Sequence, residues 1–179
     1  MSKIIALLRA INVGGTGKVA IADLRKLVED EGFTAVKSYI ASGNLVFEGT
    51  GKPADLEARL EAAAAKALGL KSDWILRTPA EWTAMIEANP FPAFSKATPS
   101  KYLVTVFKTE PDPKRLDEVR AMATLGEEIK LVGRALYICF PDGAGKSKLA
   151  GAAIEKRLGA RGTARNWNTV LKLAEMAGA

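Results

Sequence analysis

The first β-hairpin of the chain is encoded by residues 36–48, which read Val36-Lys-Ser-Tyr-Ile-Ala-Ser-Gly-Asn-Leu-Val-Phe-Glu48. Two β-rich runs, Val36–Ala41 and Leu45–Glu48, lie on either side of Ser42-Gly43-Asn44. Branched and aromatic residues favour strands, and glycine and asparagine accept the positive φ that a tight reversal requires. The pattern therefore predicts an antiparallel hairpin that turns at Ser42-Gly43-Asn44.

Further strands and helices surround this hairpin in residues 1–90. In chain order, the pattern predicts a strand over residues 3–11, a helix from Ile21 stopped by Gly32, the hairpin, a helix over Pro53–Leu68 closed by Gly69, a strand over Asp73–Arg77, and a helix that begins with the capping box Thr78-Pro79-Ala80-Glu81. The predicted order of this half is β-α-β-β-α-β, followed by one more helix.

The same order recurs after a proline-rich linker at Asn89–Ser100, which marks the predicted subdomain boundary. The predicted elements are a strand over Tyr102–Lys108, a helix from Asp112 to about Ala123, strands over Ile129–Val132 and Ala135–Phe140, a helix over Ser147–Leu158, an extended stretch near Ala160–Ala164 and a helix at about Asn166–Ala177. The hairpin glycines Gly43 and Gly133 are 90 residues apart. We therefore predict an α+β fold of two ferredoxin-like βαββαβ subdomains, residues 1–90 and 91–179, each with an extra C-terminal helix.

The composition excludes several kinds of chemistry. The 179 residues include no His and one Cys, Cys139. Without His there is no Ser-His-Asp triad, no Cys-His dyad and no histidine acid or base near pH 7. One Cys permits neither an internal disulfide nor a Cys/His zinc site, and the carboxylates show no metal-ligand spacing. We therefore expect neither a metal nor a cofactor, and we interpret Cys139 as a small core residue.

The apolar runs of the chain are short. Ile4–Leu8 ends at a charged residue, whereas a secretory segment needs about 7–15 apolar residues and a membrane span about 20. We expect a cytoplasmic protein without a membrane partner, which suits an unpaired Cys. The sequence leaves the oligomeric state open.

The positive charge is concentrated in the second half. The net charge of the chain is +6, and residues 91–179 hold 15 basic and 9 acidic side chains. Residues 146–172 contain seven basic residues against Glu155 alone. Such an excess attracts anions, so we expect nucleic acid or a phosphorylated small molecule as a partner. The alternative is an ordinary solvated helix face.

Two glycine-rich segments each lie between a predicted strand and a predicted helix. They are Asn12-Val-Gly-Gly-Thr-Gly-Lys18 and Phe140-Pro-Asp-Gly-Ala-Gly-Lys-Ser-Lys-Leu149. Neither has the glycine spacing of a Walker A motif or of a dinucleotide site. Free backbone N–H groups and a helix dipole beside Lys146 and Lys148 would still favour an anion. The alternatives are a mobile loop in the first segment and a helix capped by Ser147 in the second.

Two further features are candidates for a binding site, the polar and aromatic segment Thr163–Thr169 and the residue Arg9. Thr163-Ala-Arg-Asn-Trp-Asn-Thr169 offers a guanidinium, amides, hydroxyls and an indole, which suit phosphate or base contacts. The alternative is a helix cap by Asn166 or Thr163 with Trp167 packed inward. Arg9 follows an apolar strand, where an unpaired charge is expensive, so we expect it either at the strand end or paired with a carboxylate.

Four segments together resemble the bacterial family known as domain of unknown function 1697: Leu8–Gly15, Tyr39–Phe47, Phe140–Leu149 and Thr163–Thr169. The resemblance implies two ferredoxin-like halves and no established activity. The chain departs from the family pattern at Ala10 and Ala41, where that pattern has Gly and Gln. The candidate ligand-binding residues are Arg9, Asn12, Gly14, Gly15, Lys18, Ser42, Asn44, Lys146, Ser147, Lys148, Thr163, Arg165, Asn166, Trp167 and Asn168.

Three functions remain open at the level of sequence. The first is binding of an anionic ligand in one basic cleft, in which case Arg165→Ala is expected to weaken binding with little effect on thermal stability. The second is an enzyme acting on a phosphorylated or acidic metabolite through Arg9, Asn12, Lys146 and Arg165, which is the less expected function because no acid/base pair is visible. The third is a structural or protein-partner module.

Overall fold

The computed structural model describes residues 1–13, 15 and 17–179, so the candidate residue Gly14 lies outside the described residues. Within them the chain is α+β, with two four-stranded antiparallel sheets and seven α-helices. The strands are β1 (Ser2–Leu8), β2 (Thr34–Ser38), β3 (Asn44–Gly49), β4 (Trp74–Arg77), β5 (Tyr102–Phe107), β6 (Glu128–Val132), β7 (Ala135–Cys139) and β8 (Gly162–Asn166). The helices are α1 (Ile21–Asp30), α2 (Pro53–Leu68), α3 (Pro79–Glu87), α4 (Pro92–Ala97), α5 (Leu116–Arg120), α6 (Gly151–Leu158) and α7 (Trp167–Ala177).

The chain forms two compact units. The first unit comprises residues 1–84 and 173–179, and the second comprises residues 85–172. The last helix, α7, therefore contributes its first residues to the second unit and its last residues to the first. The subdomain division at residues 90 and 91 stays a prediction.

The first unit holds the sheet with strand order β2-β3-β1-β4. Alternate residues of a strand face opposite sides of a sheet, and Ile4, Ala6 and Leu8 of β1 lie on the side that α1 and α2 cover. Leu24 and Leu60 are fully buried there, because apolar residues at helical spacing form one face of each helix. Burial of these two stripes against the sheet forms one hydrophobic core.

The second unit holds the sheet with strand order β6-β7-β5-β8. Leu136 and Ile138 of β7 form its core with Val119 of α5 and with Ile154 and Leu158 of α6. Each sheet pairs an arginine of its edge strand with an apolar residue of the neighbouring central strand. Arg77 of β4 lies opposite Ile5 of β1, and Arg165 of β8 lies opposite Val104 of β5.

Several predicted elements differ in extent from the observed ones. The linker Asn89–Ser100 contains α4 and is followed by a 3₁₀ turn at Pro99–Lys101, because Pro92 and Pro99 preset the φ of a first helical residue. The helix expected from Asp112 to about Ala123 is a 3₁₀ turn followed by the short α5. The strand expected to reach residue 11 ends at Leu8, because Ala10 and Asn12 have a φ of 53°.

The helix predicted over Ser147–Leu158 begins four residues later, at Gly151. Ser147 has a φ of −83° and a ψ of 150°, which is extended backbone and cannot continue a helix. A separate 3₁₀ turn at Ala144–Lys146 precedes it. The glycine-rich loop is therefore longer than the sequence indicated, and Ser147 lies within it.

Candidate functional site

In the first unit, Arg9 lies directly after β1 and is partly exposed. Its guanidinium is 3.9 Å from a carboxylate oxygen of Asp73. The backbone N–H of Arg9 also donates to the carbonyl of Asp73, at 3.0 Å, and the Ser72 hydroxyl donates to the carbonyl of Arg9, at 2.6 Å. Arg9 is thus both at the strand end and beside a carboxylate.

Asn12 joins two loops of the first unit by hydrogen bonds to backbone. Its side-chain amide donates to the carbonyls of Val19 and Ala41, both at 3.1 Å, and its side-chain oxygen accepts from the N–H of Val19 at 3.0 Å. With Gly15 and Lys18 it lines an open depression of about 470 Å³. The amide of Asn12 therefore serves the loop geometry before any ligand binds.

Ser42 and Asn44 stabilise the turn of the β2–β3 hairpin. The buried Asn44 amide donates to the carbonyl of Tyr39 and to the Ser42 hydroxyl, both at 3.0 Å. The N–H of Leu8 donates to the carbonyl of Gly43 at 2.9 Å. Since Asn12 reaches Ala41 beside this turn, the structure brings Asn12, Ser42 and Asn44 together.

In the second unit, Lys146 and Lys148 are exposed on either side of Ser147. The Ser147 hydroxyl donates a short hydrogen bond to Glu127 and accepts from the N–H of Leu149 at 3.1 Å. The expected cap on the following helix is absent, because Ala150 occupies the position before α6 and has no side chain that can cap it. Ser147 instead fixes the loop itself.

Glu127 is the carboxylate that sequence reasoning missed at this loop. Burial opposes its charge, but hydrogen bonds from Ser147 and from the backbone N–H of Leu125 outweigh burial and hold the pKa of Glu127 below its ordinary value. A carboxylate with a lowered pKa is a weak base. The Ser147 hydroxyl is therefore hydrogen-bonded to a weak base.

Arg165 is buried in β8, with 7% of its surface exposed. Its guanidinium donates to the Thr163 hydroxyl at 2.6 Å and to the carbonyl of Ala164 at 2.9 Å. Burial disfavours the cation and lowers the pKa of Arg165 to about 10. A contact to a phosphate at the surface needs accessible side chains. Arg165 and Thr163 are both buried, so neither is accessible for the phosphate contact predicted from the sequence.

The remaining candidates lie where α7 begins. The side-chain oxygen of Asn166 accepts from the N–H of Thr169 at 3.0 Å, which is the geometry of a helix cap. Trp167 is buried, and its ring lies 5.3 Å from that of Tyr102. Asn168 is exposed. These positions match the alternative in which Asn166 caps the helix and Trp167 packs inward.

Trp167 belongs to an aromatic cluster that no sequence pattern indicates. The ring of Tyr102 has four aromatic neighbours at centroid distances of 5.3–6.4 Å, namely Phe91, Phe94, Tyr137 and Trp167. The Tyr102 hydroxyl donates to the side chain of Asn89 at 2.6 Å, and the Tyr137 hydroxyl donates to the carbonyl of Met85. Tyr137 and Trp167 are distant from Tyr102 in sequence, and the pairing of β5 with β7 and β8 brings them to it, whereas Phe91 and Phe94 come from the nearby segment that forms α4.

The candidate residues thus form two sets, one in each unit. The first set is Arg9, Asn12, Gly15, Lys18, Ser42 and Asn44, and the second is Lys146, Ser147, Lys148, Thr163, Arg165, Asn166, Trp167 and Asn168. Within the described part of the chain, His, Cys, Asp and Glu form no group of three that would hold a metal ion. Among the same residues, no helix combines the length and apolar content needed to cross a membrane.

Known proteins place the chain in a family. It is similar to a solved structure described as "The structure of conserved bacterial protein SP0830 from Streptococcus pneumoniae", with a TM-score of 0.77, 24% sequence identity, and coverage of 100% of this chain and 99% of that chain. At this identity the likeness shows the fold alone. No curated protein matches the chain.

A family model described as "Protein of unknown function (DUF1697)" matches residues 1–137. The segments Leu8–Gly15 and Tyr39–Phe47 lie inside the match, whereas Phe140–Leu149 and Thr163–Thr169 lie beyond it. Because the match spans well over half of the chain, the protein belongs to the DUF1697 family of proteins of unknown function.

Proposed function

We propose that the protein binds an anionic ligand through the basic segment, residues 146–157. Lys146, Lys148 and Lys156 are exposed and Arg157 is half-buried. Within the described residues, none of these four cations forms an ion pair with a carboxylate. Unpaired cations on one short stretch of surface raise the local concentration of anions. This set of unpaired cations is the observation that carries the proposal.

The acidic residue within the basic segment is already engaged. Glu155 is half-buried, and its carboxylate accepts from the N–H of Gly162 at 3.2 Å. The first turn of α6 contains no acidic residue, so no carboxylate of that turn competes with a bound anion. The ligand class is a nucleic acid or a phosphorylated small molecule.

Salt dependence tests the nucleic-acid form of the proposal. The four cations of the basic segment predict a slope of log K against log salt of about −2.8 to −3.6. Arg165 is buried and is not counted among the phosphate contacts. Lys146→Ala/Lys148→Ala should weaken binding of a mixed oligonucleotide. The matched control is Lys114→Ala/Lys130→Ala, which removes two exposed lysines of the same unit outside the basic segment. A flat salt response, or no binding at ~50 mM salt, would reject this form.

A thermal-shift screen separates the ligand classes. Stabilisation by pyrophosphate or a sugar phosphate, lost in Lys146→Ala/Lys148→Ala and retained in the control, supports a phosphorylated small molecule. Stabilisation by oligonucleotides alone supports nucleic acid. If neither class binds the wild-type protein, the anion proposal fails and the protein-partner alternative takes its place.

We also infer that each half has a ferredoxin-like topology and that the two halves arose by internal duplication. The support is the pair of strand orders, β2-β3-β1-β4 and β6-β7-β5-β8, and the equivalent register of Arg77 and Arg165. A cytoplasmic location likewise stays a proposal, and the buried free thiol of Cys139 is compatible with it.

A further inference from the structure

The second unit contains an apolar cavity of about 210 Å³ beside the glycine-rich loop. Its buried lining includes Ile138, Phe140, Leu149 and Ile154. Exposed residues of the loop, of the start of α6 and of β8 also line it, so the cavity opens toward solvent. Dry cavities of about 150 Å³ with similar linings bind benzene, and a six-membered ring therefore fits this volume.

One polar side chain lines the buried part of the cavity. Thr105 of β5 is 5% exposed, and within the described residues its hydroxyl has no hydrogen-bond partner. A hydroxyl that faces a cavity and has no protein partner is available to donate to or accept from a bound molecule. A ligand that offers a neutral hydrogen-bonding group at this depth forms a hydrogen bond with the Thr105 hydroxyl.

The loop at the opening of the cavity carries two exposed lysines. Ala144 and Gly151 line the cavity and are exposed, and Lys146 and Lys148 lie between them in the chain, both exposed and without an ion pair among the described residues. Two acidic residues lie near these lysines: Asp142 of the same loop, and Glu127, which accepts from the Ser147 hydroxyl and from the N–H of Leu125. The Glu127 carboxylate is engaged by those hydrogen bonds, whereas both lysines lack a carboxylate partner among the described residues and are available to an anionic group at the opening, with an apolar group inside.

We propose that this cavity binds a small amphiphilic anion, and this proposal rests on the anion binding proposed above. The ligand has an apolar body about the size of one aromatic ring, a neutral hydroxyl or carbonyl group at its buried end that hydrogen-bonds Thr105, and a carboxylate or phosphate at its exposed end beside Lys146 and Lys148. A bare phosphate would leave the cavity and Thr105 without a role, and an uncharged ring would leave the lysines without one.

Three probes separate the parts of the proposal in NMR titrations of the full-length protein. Phenol tests the ring and the hydroxyl, phenylacetate tests the ring and the anion, and 4-hydroxyphenylacetate combines all three. We expect 4-hydroxyphenylacetate to bind most tightly and to shift the amide signals of Leu103, Thr105 and Ala164. Thr105→Val should weaken phenol and 4-hydroxyphenylacetate by about threefold to tenfold, the value of one hydrogen bond, and should leave phenylacetate unchanged.

Variants that fill the cavity test its location. Ala164→Leu places a larger side chain into the cavity from an exposed position and should abolish binding of all three probes, whereas Ala121→Leu, at an exposed position outside the cavity, should not. If Ala164→Leu does not fold, Gly151→Leu replaces it, because a Cβ at Gly151 meets no atom within 4 Å. Binding that survives a folded, filled cavity would overturn the proposal.

The charged end is tested separately from the proposed anion function. Lys146→Ala/Lys148→Ala should weaken 4-hydroxyphenylacetate by at least about threefold and leave phenol unchanged. If no probe binds while pyrophosphate or an oligonucleotide still does, the cavity proposal is overturned and the anion function stands. If phenol binds and Lys146→Ala/Lys148→Ala binds 4-hydroxyphenylacetate as tightly as the wild type does, the lysines do not bind the charged end. That result overturns the proposal of an amphiphilic anion.

Discussion

The Arg165 guanidinium is a cation held inside the second unit by the Thr163 hydroxyl and the carbonyl of Ala164. Removing one partner of a buried polar pair leaves the other without its hydrogen bond. The residue therefore belongs to the structure of β8, and a variant at this position tests stability before it tests binding.

We predict that Arg165→Ala lowers the free energy of unfolding by about 1–3 kcal/mol, measured by urea denaturation, because it leaves the Thr163 hydroxyl and the Ala164 carbonyl without their hydrogen bonds to Arg165. Arg165→Met should cost less than half as much, because it removes the buried charge and keeps an apolar side chain of similar length. A cost below about 1 kcal/mol for Arg165→Ala would contradict this structural role, since exposed charges contribute that little.

Cys139 is a buried thiol in β7. Burial, reinforced by the negative charge of Glu128, raises the pKa of Cys139 to about 12. Below its ordinary pKa of 9.0 the thiol is neutral in the folded and unfolded chains, and its contribution to stability is fully present. Between pH 9 and 12 the unfolded chain ionises first, so this contribution is lost as the pH rises.

The Cys139→Ala variant isolates this effect. We predict that the wild-type protein loses more stability than Cys139→Ala between pH 8.5 and about 11, as measured by urea denaturation at each pH. Burial also raises the pKa of Tyr137, to about 12, and that of Tyr102, and both produce a loss of the same sign in the two proteins, so most of their effect cancels in the comparison. Equal slopes for the two proteins would show that the thiol is accessible to solvent.

Two helices end in the same way at equivalent positions of the two halves. Gly69 follows α2 with a φ of 61°, and Gly159 follows α6 with a φ of 66°. A Cβ at either glycine meets no atom within 4 Å, so the left-handed backbone is the reason for glycine there. The sequence identified both ends, because helix termination depends on local backbone conformation.

We predict that Gly69→Ala and Gly159→Ala each destabilise the protein by about 1–2 kcal/mol, the cost of a left-handed residue with a Cβ. Gly162→Ala should cost more, because its Cβ would lie 2.9 Å from the carbonyl oxygen of Val106. Thermal unfolding of the three single variants gives the comparison. A smaller loss for Gly162→Ala than for the two helix ends would mean that β8 can move away from β5.

At the scale of the molecule, the end of the chain is part of the first unit. Residues 173–179 group with residues 1–84, and Leu173, Ala174 and Ala177 are buried. Met176 lines a cavity with Lys3, Lys37 and Phe47 of the same unit. A chain that stops before residue 173 therefore lacks part of the first unit.

We predict that Leu173→Ala lowers the free energy of unfolding by about 2–5 kcal/mol, as for other buried leucines. Leu171→Ala, two residues earlier, is the matched control and should cost less than about 1 kcal/mol, because Leu171 is 45% exposed. Truncation after Lys172 should reduce the hydrogen-exchange protection of the amides of β1–β4. Unchanged protection of these strands in the truncated chain would show that the first unit folds without its last residues.

The sequence by itself determined the α+β class, the alternating order of strands and helices, the hairpin turns and the glycine ends of α2 and α6, because periodicity and φ preferences are properties of neighbouring residues. Tertiary structure alone decided that Arg165 is buried, that Ser147 binds Glu127 before α6 begins, and that Thr105 lines a cavity. Burial and side-chain pairing depend on residues far apart in the chain. The local pattern that makes Arg165 and Thr105 ordinary strand residues contains no information about what covers them.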